Sequence, residues 1–206
     1  MHLACEGVSN LLTKVLEWGR LMAYLEQSTR YVPYTDRPGG RWKYHVPVEL
    51  EQGALRARYV EALDGAFETY ARWIEPMQAF WAARVPRESG QGKAPGASAM
   101  RAKALDSLRG LLPAATRSNV GIFGTAQGYE ALLLRMRAHP LREVRDHADL
   151  MLIELQKVIP AFLKRLQRPE RGECGPGISP IPRRPRARWR SRSSPESSPS
   201  RGPRSR

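Results

Sequence analysis

Near the start of the chain, apolar residues recur at steps of three and four positions, a spacing typical of one face of a helix. The apolar positions are Val8, Leu11, Leu12, Val15, Leu16, Met22 and Leu25. The pattern predicts a first helix over residues 5–28. The chain starts within this pattern, with no preceding strand or turn, so we expect that a natural N-terminal portion is missing.

A longer periodic pattern follows an aromatic segment at residues 30–45. That segment holds Asp36-Arg-Pro-Gly-Gly40 between aromatic residues, which indicates a short hairpin or an ordered loop. Pro47 suits the first turn of a long helix over residues 47–85. Its seam has near-heptad spacing and comprises Val60, Leu63, Phe67, Tyr70, Ile74, Met77, Trp81 and Val85. We interpret the seam as a helix-packing face, and we expect Pro76 to kink the helix without ending it.

Proline and glycine divide the second half of the chain into shorter helices. We predict these helices over residues 99–112, 129–138 and 141–167. Pro113 stops the first of them, and Pro160 kinks the last one or ends it early. Between them, three glycines interrupt the pattern and favour close helix packing. They are Gly121, Gly124 and Gly128. A Gly/Ser/Lys-rich connection over residues 87–98 precedes this half.

The composition changes at residue 168 and divides the chain into two parts. With 206 residues, of which 41% are hydrophobic, the chain is long enough for one domain with a sizeable core, which we assign to residues 1–167. Residues 168–206 are rich in Arg, Ser, Pro and Gly and too poor in apolar residues to offset the entropy of ordering, so we predict a disordered tail. The tail carries 8 of the 14 net positive charges. The first part is therefore only moderately basic, which suits an anionic substrate as well as nucleic acid.

The tail has two interpretations. Its charge is concentrated around Trp189, as in an Arg-rich arm that binds nucleic acid. Alternatively, Arg, Pro, Gly and Ser without a single Lys is what GC-rich DNA yields when it is read out of frame. In either case we expect no catalysis from the tail.

Several classes of function find no support in the sequence. No apolar run approaches the length of a bilayer, and Met1 is followed by an amphipathic pattern rather than a secretory signal, so we expect a soluble, cytoplasmic protein. Cys5 and Cys174 give neither a disulfide framework nor a metal-ligand spacing, and the four histidines lack the spacing of a zinc site. Ser28 has no His–Asp pair implied by the sequence, which disfavours a serine hydrolase.

The segment Glu26-Gln-Ser-Thr-Arg-Tyr31, at the end of the first predicted helix, is the most informative in the chain. Glu26 and Arg30 lie four positions apart, a spacing that on a helix allows an ordinary surface ion pair worth ~0.3–0.5 kcal/mol. Alternatively, a carboxylate, a hydroxyl and a guanidinium at a helix end can bind a phosphate and a sugar, with Arg as a bidentate donor. On the motif alone, both interpretations are open.

The same segment resembles the R-H-R-x-x-S-x-N-E-x-S-x-R-Y signature of the flavin-dependent thymidylate synthases. The positions that match its second half are Glu26, Ser28, Arg30 and Tyr31. Arg20 matches the last arginine of the first half, where Trp18 and Gly19 replace Arg and His. The resemblance implies that the second half contacts deoxyuridine monophosphate (dUMP) and that Arg20 helps to hold the flavin.

Two later segments extend the resemblance. Leu108-Arg-Gly-Leu-Leu-Pro113 is similar to the family's A-R-x-x-L-P, which implies that Arg109 binds nucleotide. Residues 133–148 are similar to its L-R-A…E-I-R-x-Y-A segment. In this alignment Arg137 takes the position of the catalytic arginine that polarises the uracil ring, with Arg135 as the alternative register.

Taken together, the patterns and the resemblance predict an α+β, predominantly helical fold of long packed helices with a short hairpin or ordered loop. The resemblance implies a methyltransferase that converts dUMP to dTMP, with FAD as cofactor and with methylenetetrahydrofolate and NADPH as co-substrates. It also implies a homotetramer whose active sites are shared between chains. The replacement of Arg-His by Trp18 and Gly19 leaves an alternative, a non-catalytic relative that keeps a nucleotide site or only the helical scaffold. A nucleic-acid-binding protein with the tail as its arm is a third interpretation, which we disfavour.

Overall fold

Helices predominate in the computed structural model, which describes residues 1–50, 53–84 and 96–167, and one small sheet lies among them. The strands are β1 (His2–Ser9), β2 (Met22–Glu26) and β3 (Arg117–Gly124). The helices are α1 (Asn10–Leu16), α2 (Ala54–Arg84), α3 (Ala97–Leu108), α4 (Ala126–Arg137), α5 (Arg142–Gln156) and α6 (Pro160–Leu163). The predicted α+β, predominantly helical class is confirmed. The predicted tail at 168–206 and most of the predicted connection at 87–98 lie outside the described residues. None of the described helices has the length and apolar composition needed to span a membrane.

The predicted helix over residues 5–28 is wrong, because this segment forms β1, α1 and β2 instead. Ser9 ends β1 and caps α1, since its hydroxyl oxygen accepts a hydrogen bond from the Leu12 amide at 3.1 Å. The apolar spacing is helical only within α1, where Leu12 and Leu16 are buried. On either side the chain pairs with a strand from its distant second half, and such pairing leaves no trace in the local pattern.

The three strands form an antiparallel sheet in the order β1-β3-β2. At its centre, Gly121 pairs with Ala4 on one side and with Leu25 on the other. A register shift in β1 makes a bulge at Gly7, which adopts a left-handed φ of 64°. One face of the sheet packs against α1, α4 and α5 and forms the larger core. The other face is open, with Leu25 and Phe123 exposed.

The three glycines that were expected to aid helix packing lie at a different kind of contact. Gly121 and Gly124 are in β3, and Gly128 is in the first turns of α4. A Cβ atom would lie 2.6 Å from Met22 Cε at Gly124 and 3.2 Å from Met22 Cγ at Gly128. The expectation of helix–helix packing is therefore wrong, and Gly124 and Gly128 instead leave room for the Met22 side chain of β2.

The seam of the long helix faces the second core, and its middle residues Phe67, Tyr70 and Ile74 are buried as predicted. The second core contains the buried residues Tyr34, Trp42, Tyr44, Phe67, Tyr70, Ile74, Leu105 and Leu108. All described seam residues of α2 are buried or half-buried, and Val85 lies outside the described residues. The helix begins at Ala54, later than predicted, and it continues through Pro76. Its apolar side packs against α3 and against the aromatic residues of the segment that precedes it.

The remaining predicted elements are largely confirmed. The helices α3, α4 and α5 begin within three residues of their predicted positions. The helix α5 ends at Gln156 and a new helix begins at Pro160, so the proline ends the predicted last helix early. Residues 30–45 form an ordered loop with a 3-10 turn at Pro38–Gly40, which is the second of the two forms expected for this segment.

Candidate functional site

The Glu26–Tyr31 motif lies where the chain leaves β2 and turns. The carbonyl oxygen of Ser28 accepts a hydrogen bond from the Tyr31 amide at 3.3 Å, and its hydroxyl accepts one from the Arg30 amide at 3.3 Å. The Glu26 carboxylate binds Lys14 Nζ at 3.1 Å. Of the two interpretations left open, the surface ion pair between Glu26 and Arg30 is therefore wrong, because a strand followed by a turn does not place positions four apart on one face as a helix does.

Arg30 and Arg109, both predicted to bind nucleotide, lie around the carboxylate of Asp106. Their Nε atoms lie 3.1 Å and 3.2 Å from the same oxygen, Asp106 Oδ1. Arg30 comes from the turn after β2 and Arg109 from the 3-10 turn that follows α3, so only the tertiary fold brings them together. Sequence reasoning did not identify Asp106. Its place three residues before Arg109 on a helix was a signal for an ion pair.

A cavity of about 500 Å³ opens beside the motif. It is lined by three residues that were predicted to bind substrate, namely Glu26, Ser28 and Tyr31. Residues of β1 and β3 complete the wall, and Gly121, which has no side chain, leaves the middle of the sheet face free. The volume lies in the range of small-molecule sites. The structure thus brings Glu26, Ser28 and Tyr31 to one cavity.

A second cavity, of about 290 Å³, contains Arg20, the residue expected to hold the flavin. Arg135 lines the same cavity, and its guanidinium lies 4.9 Å from the centre of the Trp18 ring. Arg135 Nη1 is shielded from solvent and has no hydrogen-bond partner among the described residues. An unpaired buried donor is costly, so this atom is suited to a ligand acceptor. The cavity offers two cations to an anionic group.

Arg137 has a different environment from Arg135. Its Nε and Nη2 donate hydrogen bonds to Asp149 Oδ1 at 3.1 Å and 2.7 Å. Its Nη1 donates to the Leu166 carbonyl oxygen at 2.9 Å. Arg137 therefore ties α4 to α5 and to the chain after α6, and it lines neither of the two cavities. The structure does not bring Arg137 to the other predicted site residues.

The described residues of the site are suited to ligand binding. Burial raises the pKa of Cys5 to about 11, so the thiol, which packs in the larger core, stays protonated at neutral pH. Within the same described residues, no group of three or more His, Cys, Asp or Glu is placed to hold a metal ion. The chemistry available at the site is charge and hydrogen bonding from arginine, serine and tyrosine.

The fold and the site define a helical α+β protein with a cavity beside the Glu26–Tyr31 motif, another beside Arg20, and a pair of arginines that converge on one carboxylate. A sequence model of the family described as thymidylate synthase complementing protein matches residues 1–161. The chain therefore belongs to this family, and the resemblance to the flavin-dependent thymidylate synthases is confirmed at the level of the family.

Curated relatives support this membership. A UPF0159 protein of Chlamydia pneumoniae is 38% identical over 167 residues, which cover 81% of this chain and 32% of the relative. A flavin-dependent thymidylate synthase of Mycobacterium tuberculosis is 29% identical over 157 residues, which cover 75% of this chain and 57% of the relative. A UPF0159 protein of Thermoplasma acidophilum is 25% identical over 180 residues, which cover 77% of this chain and 36% of the relative. The chain thus spans about a third of the length of the two UPF0159 relatives.

Proposed function

We propose that this chain is a flavin-dependent thymidylate synthase domain, a cytoplasmic methyltransferase that converts dUMP to dTMP. Methylenetetrahydrofolate would supply the carbon and NADPH the reducing equivalents. One observation carries the proposal: Arg30 and Arg109, from distant segments of the chain, both lie within 3.2 Å of one carboxylate oxygen. Two guanidiniums at one point suit a phosphate, which accepts bidentate hydrogen bonds from arginine.

The other residues of the motif would bind the rest of the nucleotide. Glu26, Ser28 and Tyr31 line the 500 Å³ cavity and would orient the sugar and the phosphate. For the arginine that polarises the pyrimidine, sequence comparison allows Arg137 or Arg135. We favour Arg135, because its Nη1 has no partner among the described residues whereas every nitrogen donor group of Arg137 is engaged.

FAD is the cofactor that this function requires, and it supplies the hydride when it is bound. The smaller cavity fits an anionic part of FAD, since the Arg20 guanidinium presents a cation there. A volume of about 290 Å³ holds only part of a dinucleotide. We therefore propose that Arg20 holds the FAD diphosphate and that the chain works as a homotetramer in which other copies complete the site. The exposed Leu25 and Phe123 on the open sheet face support an association between copies.

A second candidate function is a non-catalytic relative that binds nucleotide without flavin. Trp18 and Gly19 favour it, because they stand where the family signature has Arg and His. The Trp18 ring also covers the guanidinium of Arg135 at 4.9 Å, within the cavity proposed for the flavin. Binding of dUMP and binding of FAD by the same purified chain separate the two functions.

Arginine variants test the nucleotide site. Arg30→Ala and Arg109→Ala should each weaken dUMP binding by ~1.5–3 kcal/mol, the range for hydrogen bonds to charged groups, or roughly 10- to 150-fold in Kd. Arg30→Lys should also lose affinity, since an ammonium does not reproduce the planar fork. The measurement is calorimetric titration of dUMP into the full chain. Arg142→Ala is the control, because Arg142 makes a surface ion pair with Asp146 and should leave binding unchanged. Binding that survives all three site changes would remove these arginines from the site.

An absorption spectrum tests the flavin. When FAD is added and the excess removed by desalting, the wild-type chain should retain flavin, seen in the visible spectrum. Arg20→Ala should lower FAD affinity about tenfold, the effect of losing roughly 1.4 kcal/mol of charged hydrogen bonding. Arg58→Ala on the exposed side of α2 serves as the control. A chain that binds dUMP and retains no flavin would support the non-catalytic function instead.

A further inference from the structure

Asp106 occupies the centre of the proposed phosphate site. Its Oδ1 atom is shielded from solvent, whereas 51% of the Arg30 side chain and 50% of the Arg109 side chain are exposed. Both Nε atoms approach this shielded oxygen at ion-pair distance, and it makes no hydrogen bond to a described residue. The Asp106 side chain is 38% exposed, somewhat less than either arginine, and half of each arginine side chain faces solvent.

The arginines use only one edge of each guanidinium in this contact. The Nε atoms approach Asp106, and the Nη groups of Arg30 and Arg109 make no hydrogen bond to a described residue. Each guanidinium has five N–H donors in a fixed fork, so most donors of the pair remain available. The three side chains together carry a net charge of +1, which leaves the cluster attractive to an anion.

Two neighbouring cations repel each other, and long side chains lose rotamer freedom when they are held at one point. A carboxylate between them offsets the repulsion and fixes both guanidiniums before a ligand arrives. A site that is fixed in advance binds more tightly, because less ordering remains to be done on binding. The alternative is that Asp106 occupies the arginines as an internal anion and competes with the ligand.

We propose that Asp106 is a positioning residue that holds Arg30 and Arg109 side by side so that their Nη groups bind a phosphate monoester. This inference rests on the proposed function for the choice of dUMP as ligand, and it extends that function to a residue outside the family motif. The same geometry also binds inorganic phosphate, because the recognised group is the phosphate itself.

The experiment is titration of dUMP, and separately of inorganic phosphate, into the full chain and its Asp106→Asn variant. Asn keeps the size of the side chain and removes the charge. Affinity for both ligands should fall about tenfold, within the range of coupling between residues in contact. In the Arg30→Ala background the same Asp106→Asn change should have under about threefold effect, because only one arginine remains to be positioned. A purely structural role would give the same loss in both backgrounds.

The control is Asp146→Asn, which removes a surface carboxylate paired with Arg142 and should change neither affinity. Asp106→Glu keeps the charge and should retain more affinity than Asp106→Asn. If the Asn variant fails to fold, Asp106→Glu is compared with the wild type instead. If the affinity of Asp106→Asn for dUMP rises or stays the same, the inference about Asp106 is overturned. The proposed function still stands in that case, provided that the wild type binds dUMP. Wild-type binding of phosphate without dUMP would overturn the proposed function and still test Asp106 on phosphate. A wild type that binds neither ligand would overturn both.

Discussion

Replacing Glu143 by Ala should lower the free energy of unfolding by about 3–5 kcal/mol, the cost of losing two buried hydrogen bonds to a charged group. The Glu143 side chain is only 6% exposed. Its two oxygens accept hydrogen bonds from the Ser9 amide at 2.8 Å and from the Ser9 hydroxyl at 2.6 Å. His45 Nδ1 lies 3.7 Å from one of them. Truncation would leave the buried Ser9 amide without a partner at the junction of β1 and α1, where the two elements meet α5.

Chemical denaturation followed by circular dichroism measures this effect. Glu154→Ala is the matched control, because Glu154 lies on the same helix but pairs with Lys157 at the surface, and its loss should cost under about 1 kcal/mol. Glu143→Gln should lie between the two, since Gln keeps an acceptor oxygen and the shape of the side chain. Equal and small effects of both alanine variants would show that Glu143 does not hold this junction.

Phe67→Ala should destabilise the protein by a similar amount, about 3–5 kcal/mol, because it removes a large side chain from a packed core. Phe67 is fully buried in the second core. Its ring lies 5.5 Å from that of Trp42 and 5.8 Å from that of Tyr44, measured between centroids. Aromatic contacts at these distances add to the burial of area. The cavity left behind would separate α2 from the ordered loop that covers it.

The same helix provides a matched control of the same residue type. Phe80 is 41% exposed and has Arg84 over its ring. Phe80→Ala should therefore cost about 1 kcal/mol or less, the size of an exposed cation–π contact. The test compares the urea concentrations at which the Phe67→Ala and Phe80→Ala variants are half unfolded, with the denaturant dependence of the unfolding free energy unchanged between them. A difference near zero would mean that the loop does not close the second core in solution.

The periodic spacing of apolar residues predicted those parts of the fold in which buried positions recur at regular intervals along a single helix. The seam of α2 repeats over several turns, and Phe67, Tyr70 and Ile74 are buried where the spacing places them. Pro160 also has its predicted effect, because a proline in a helix removes a hydrogen bond wherever the helix packs. These features depend on neighbours within a few positions, and such neighbours are visible in a sequence.

The amino-terminal strands could not be predicted in the same way. In residues 5–28 the apolar spacing of a short helix continues by chance into β2, while the true constraint on β2 is its pairing with β3. The site shows the same division. The resemblance to the family pointed to Arg30 and, through a later segment, to Arg109, whereas Asp106, which joins them, belongs to no motif. The partner of Glu26 is Lys14, which the strand and turn bring near and no helical spacing indicates.

The central place of β3 in the sheet has a consequence for synthesis on the ribosome. β1 and β2 are made first, yet neither pairs with the other, and both pair with a strand that begins at Arg117. At 5–20 residues per second, β2 waits on the order of 5–20 s for its partner. During that interval two strands present unpaired edges, which are templates for pairing with other chains. We therefore expect β1 and β2 to be open to pairing with other chains until β3 has been made.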